Sequence, residues 1–303
     1  MTMIKKVRRM RRATKLFLGF LMLFVLVPVG AQIPSFKSPP TLNASSESIT
    51  AWGELIGGEY YIKDSQVGIV DLNKGTGPSI YLGSIFGLLG AAVGTAIDIS
   101  IGVNKVSTDA GVFLVKFHED LQAELAQRVA STQGTSLALM VAPDLPANIS
   151  IRPAVRLVVH EDGLTRMTVR LLALFKASES SNGFQREYLW SAPVSKALAG
   201  KSESWAAEEG KLFKEQVKIG LSLLTDVIVR DFSGEFRWPE KSEDQKLITA
   251  KIAVAKRPGQ FGILAEKEDY FIVHPMLFAT RPSLRFIFLL AKNGVEIRGI
   301  DSK

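Results

Sequence analysis

Three histidines, two carboxylate clusters, one glycine pair and one row of arginines are the groups whose types could do chemistry in this chain. His118, His160 and His274 would each need a second ligand or base at helical or hairpin spacing to hold a metal or move a proton. None has one. His118-Glu119 and His160-Glu161-Asp162 are only adjacent neighbours, so each histidine reads as a surface or hydrogen-bonded side chain. Glu208 with Glu209, and Glu266 with Glu268 and Asp269, fall where a helix start and a charged turn are expected, which is where solvated acids belong. Two acids from distant strands could still meet as a glycosidase pair, so an exported hydrolase with dispersed acidic residues stands as an alternative. Gly75-Thr-Gly77 lacks both a third glycine at the right spacing and a following Gly-Lys-Ser/Thr, and reads as a turn. There is no Gly-x-Ser-x-Gly elbow, and no cysteine, which removes disulfides, thiolate metal sites and a cysteine nucleophile. The chain is therefore read as non-enzymatic, with no catalytic, cofactor-binding or metal residue assigned.

Two features point to docking instead. Arg152, Arg156, Arg166 and Arg170 fall on even positions flanking Asp162-Gly163, while Val155, Leu157, Val159, Met167, Val169, Leu171, Ala173 and Phe175 fall on odd ones. Period-2 alternation around Asp-Gly predicts a hairpin with an apolar core face and a wet, basic outer face. That outer face would either dock an anionic partner or simply pair with nearby glutamates. The second feature is the segment 79–103, whose 19 residues from Ser79 to Ile97 carry no charge, with Gly83, Gly87, Gly90 and Gly94 recurring at steps of 4, 3 and 4. Those steps align the glycines on one helical face, where another backbone could approach closely. The segment reads as a buried helix or helical hairpin, a membrane-inserting or membrane-lying element, or a self-association surface that would make the chain a homo-oligomer.

The N-terminus decides where such docking would happen. Lys5, Lys6, Arg8, Arg9, Arg11, Arg12 and Lys15 precede an apolar run from Leu16 to Val29, and Val29-Gly30-Ala31 suits a signal peptidase. Residues 1–31 are thus expected to be a signal peptide cleaved after Ala31; the alternative is an inner-membrane anchor through residues 16–30. The whole chain holds 37 Lys and Arg against 30 Asp and Glu, and all seven of the excess cations lie in the leader. Without it the charges balance, so the sequence pI near 9.5 gives no support for a nucleic-acid partner.

These features need elements to hold them. Residues 32–48, with Pro34, Pro39 and Pro40, are expected to be a tether. Residues 49–233 are expected to form an α+β domain: a first strand at Val67-Gly-Ile-Val70, an amphipathic helix from Gly111 to Ser131 with Leu114, Phe117, Leu121 and Leu125 on one stripe, and a short strand at 135–142. The Asp162-Gly163 hairpin, a strand from Gln185 to Ser191, a linker from Pro193 to Ser202 and a long helix to Phe232 follow. Ser202 or Ser204 would cap that helix, Trp205 would anchor it, and Ala206, Phe213, Val217, Leu221, Leu224 and Ile228 would be its buried stripe. Residues 234–303 read as a small all-β unit or an added sheet layer.

The order strand, helix, strand, strand, strand, helix resembles the small α+β domain of bacterial envelope lipoproteins and related periplasmic assembly or secretion proteins. Those include the lipopolysaccharide-assembly lipoprotein, the N-terminal domain of the Tol-system propeller protein and the curli secretion channel lipoprotein. The matching residues are Val67-Gly-Ile-Val70, Asp162-Gly163 followed by Glu187-Tyr-Leu-Trp190, and Ser204-Trp-Ala-Ala207. The chain departs from many of those proteins in having no cysteine to lipidate, and the glycine-rich insertion is additional. The resemblance implies an antiparallel or mixed sheet with two packed helices in an exported accessory or scaffold protein. It would be periplasmic or outer-membrane-associated and would dock envelope proteins or the membrane surface.

Overall fold

The alternation around Asp162-Gly163 builds the centre of the molecule. The computed structural model describes residues 40–47, 59–61, 65–71, 110–131, 140–141, 147–160, 162–175, 184–199, 201–236, 246–250, 259–275 and 284–292. Among these are eleven strands in one mixed sheet and two α-helices, an α+β fold. The strands are β1 (Thr41–Ala44), β2 (Glu59–Tyr61), β3 (Val67–Asp71), β4 (Met140–Val141), β5 (Ile149–Val159), β6 (Thr165–Phe175), β7 (Phe184–Lys196), β8 (Leu247–Ala250), β9 (Gly259–Glu266), β10 (Tyr270–Pro275) and β11 (Leu284–Ala291). The helices are α1 (His118–Ser131) and α2 (Ala207–Phe232), and a 3₁₀ turn, Ala110–Phe113, precedes α1.

β5, β6 and β7 form an antiparallel meander. At its first turn Gly163 takes a positive φ of 74°, and the Leu164 N–H donates to Asp162 Oδ1 at 2.9 Å, which is the turn chemistry that Asp-Gly supplies. The odd residues of β5 and β6, with Tyr188 and Trp190 of β7, face the helices in one large apolar cluster. Into it α2 sends Phe213, Val217, Leu221, Leu224 and Ile228, spaced 4, 4, 3 and 4, all buried as the helical period predicts. Each such side chain contributes about 1.5–3 kcal/mol on leaving water. Gly220 lets α2 come close: a Cβ there would lie 2.6 Å from Trp190 Cε3 and from Val169 Cγ2. α1 adds Leu121 and Leu125 and is tied to α2 by Arg128, which reaches Ser222 Oγ at 3.2 Å and Asp226 at 3.5 Å.

Four sequence expectations are corrected. Residues 32–48 are not all tether, because Thr41–Ala44 form β1, with Leu42 fully buried. Leu114 is exposed and precedes α1; Phe113 takes the inward place in the preceding turn. Pro193 opens no linker: β7 runs on to Lys196 across a register shift opposite Arg166–Thr168, and a proline without an N–H is at home in such an irregularity. Neither Ser202 nor Ser204 caps α2, whose N-cap is Ala206 with no side-chain hydrogen bond, and whose first turn is left-handed at Glu208, Glu209 and Gly210. Trp205 does anchor this entry, fully buried with its Nε1–H donating to the Thr165 carbonyl at 2.8 Å.

The C-terminal strands extend the same sheet sideways. β11 pairs parallel with β7, and β10, β9 and β8 follow antiparallel. Their outward residues, Phe288, Leu290, Phe271, Val273, Phe261, Ile248 and Ala250, join Leu189 of β7 in a second apolar cluster that, among the described residues, contains none from α1 or α2.

On its other side β5 borders two parallel strands in succession: β1 against Ile149–Ile151 and β3 against Val155–Val159. Ser45 N–H donates to the Ile151 carbonyl and Val155 N–H to the Gln66 carbonyl, so odd residues of β5 turn their backbone groups this way. Pro153, of the same parity and without an N–H, falls in the gap between the two neighbours, where a missing donor leaves no ladder bond unmade. Gln66, fully buried, staples the gap: Nε2 donates to the Ser45 and Glu47 carbonyls at 3.3 and 3.0 Å, and Oε1 accepts from Phe117 N–H at 2.6 Å.

Candidate functional site

The four arginines of the hairpin do share one sheet face, since Arg156 pairs with Thr168, Arg166 with Val158, and Arg170 with Ala154. The expectation of a wet face does not hold along its length. Ala154, Val158, Leu172 and Leu189 lie on it and are buried. Arginine stems cover such apolar patches while their heads find partners. Arg170 meets Glu187 of β7, the two side chains 11% and 7% exposed, and Arg156 is 4% exposed. Arg152, further along, meets Glu47 at 2.7 Å with both side chains partly in solvent. Arg166 is half-buried. The row thus divides into a buried middle, Arg156 and Arg170, and accessible ends, Arg152 and Arg166.

Behind this face, against α2, lies a charged cluster that sequence reasoning missed. Arg186 Nη1 donates to Asp231 Oδ2, and the Tyr188 hydroxyl donates to the same oxygen at 2.6 Å. All three side chains are sealed from solvent. Burial opposes the Arg186 charge, but Asp231 and Tyr188 outweigh it and hold the guanidinium above its ordinary value. Burial, then the Asp231 charge, pushes the Tyr188 phenol well up. The parity of Arg186 with Tyr188 and Trp190 was the available signal: it put a cation on the apolar face. Its partner, 45 residues on, had no local mark.

The remaining candidates do not assemble. His118 opens α1 at 4.0 Å from Glu119, whereas His160 and His274 belong to the end of β5 and to β10. Among the described residues no three His, Cys, Asp or Glu side chains gather as a metal site. Glu208, without Glu209, edges a cavity of about 250 Å³ lined also by Lys196, Glu203, Lys211 and Glu215, where Lys196 is bonded to Glu203 at 2.7 Å. Glu266 is bonded to Lys292 at 2.9 Å, and that bond holds its carboxyl below the usual range. Gly75, Gly77, Gly83, Gly87, Gly90, Gly94 and the leader lie outside the described residues.

No family model, curated protein or solved structure matches this chain. Among the described residues no helix is long and apolar enough to cross a membrane.

Proposed function

We propose that this chain is an exported, non-enzymatic accessory protein of a bacterial cell envelope, which docks a protein partner on the sheet face opposite its two helices. The observation that carries the reading is the asymmetry of the sheet. The helices supply side chains to one apolar cluster; the cluster on the other face holds none from either helix and is itself buried, so what that face offers a partner is its polar rim. The accessible arginines Arg152 and Arg166 lie on that second face, which suits an acidic partner surface. The basic leader and Val29-Gly30-Ala31 supply the export half of the reading.

The test is fractionation of the tagged chain with N-terminal sequencing, followed by cross-linking in intact cells. The expected result is a product starting at Gln32 in the periplasm, with cross-links that Arg152→Glu plus Arg166→Glu abolishes. A chain left in the cytoplasm, or retained in membranes after carbonate washing, overturns it.

A further inference from the structure

The N-terminal strand is held differently from the rest of the sheet. β1 pairs with β4 at two positions and with β5 at three, and its partners lie about a hundred residues later in the chain. Leu42 is its one fully buried apolar side chain, against the many that β5, β6, β7 and α2 place in the same cluster. Much of its hold is polar and comes from side chains. Thr41 N–H donates to Asn148 Oδ1 at 3.1 Å, Ala44 N–H to Gln122 Oε1 at 2.7 Å, and Glu47 meets Arg152 at 2.7 Å. The gap at Pro153 separates its ladder from that of β3, and Gln66, through the Ser45 and Glu47 carbonyls, is the bridge between them.

A segment with one buried apolar side chain, held by two short ladders and a few side-chain bonds, opens at lower cost than the body it rests on, because few of the global contacts must break with it. We propose that residues 40–47 form a separable strap that detaches while β5, β6, β7 and α2 stay folded, uncovering the Ile149–Ile151 edge between β4, β5 and α1 as a strand-binding site. The ligand class is an extended segment with one leucine-sized side chain between small polar residues, as in Pro40-Thr-Leu-Asn-Ala-Ser-Ser-Glu47. Main-chain pairing would supply its affinity and the Leu42 position its selectivity. The inference is independent of export.

The experiment uses the full chain. In hydrogen exchange, the amides of Thr41, Ala44 and Ser45 should exchange at least tenfold faster than those of Val169 and Leu171 in β6. The absence of native cysteine makes a lock simple, because Asn43 and Ser150 are register partners. The doubly substituted chain, Asn43→Cys with Ser150→Cys, should take up a labelled peptide of residues 40–47 when reduced and refuse it when oxidised. Equal exchange in β1 and β6, or equal peptide uptake by the reduced and oxidised forms, overturns the strap.

Discussion

Arg186 and Glu187 are neighbours in β7 that point to opposite faces of the sheet, each into its own ion pair: Arg186 with Asp231 on α2, Glu187 with Arg170 on β6. β7 is thereby pinned from both sides by partners in two different elements. Neither pair is strong evidence of stability, since taking two charges out of water offsets most of their attraction. What the arrangement does is penalise every packing in which one partner is displaced.

Asp231→Ala should therefore cost about 3–5 kcal/mol in urea unfolding, because it strands the Arg186 charge in the core. Arg186→Met combined with Asp231→Leu should cost less than either single change. A double-mutant cycle that gives additive losses would remove the coupling assigned to this pair.

Tyr188 predicts how stability responds to alkali. An unfolded phenol ionises near about pH 10, and the folded one is held well above that. Its contribution is complete below about pH 10 and drains away as the pH climbs toward the folded value. Tyr188→Phe should be less stable by about 1.5–3 kcal/mol near pH 8, through the lost bond to a charged carboxylate. The two curves should converge above about pH 10 as the Tyr188 contribution is lost, while Tyr270, also raised by burial, is common to both and cancels. Denaturation midpoints across that range check this.

Much of the central layer could be read in advance, and the reason is locality. The hairpin needs only alternation and Asp-Gly, and α2 needs only its 3-4 spacing, so each is recorded in one continuous stretch of sequence. The parallel pairing of β11 with β7 leaves no such trace, because a parallel neighbour is chosen by sheet packing rather than by a turn. β1 was hidden for a related reason: four residues with one leucine carry no period, and the prolines before it suggested a tether. The candidate face was legible as a row of arginines, but Glu187, which pairs with Arg170 in its buried middle, acts across strands.

That difference along the row can be measured. Arg170→Ala should cost about 2–4 kcal/mol by leaving Glu187 buried without its partner. Arg152→Ala, whose pair with Glu47 is half in solvent, should cost under about 1 kcal/mol and less still in high salt. Similar losses at both positions would contradict the division into a buried middle and accessible ends.

At Gly220 helix propensity and packing disagree in sign. Alanine there would favour the helix by about 1 kcal/mol, yet its Cβ would overlap Trp190 and Val169. Overpacking of this kind costs about 1–3 kcal/mol, so Gly220→Ala should lower the melting temperature. Adding Val169→Ala, which vacates one of the two clashing groups, should recover part of the loss.

The proline at the middle of β5 guards against a different fate. Fibrils grow by stacking one uninterrupted strand on another, each backbone amide answered by a carbonyl of the next copy. On the side where β1 and β3 attach, the 11 residues of β5 offer no such run, because Pro153 has no amide to give. With the strap lifted and β3 in place, an incoming strand finds one short berth at Ile149–Ile151, too short to template a long ladder.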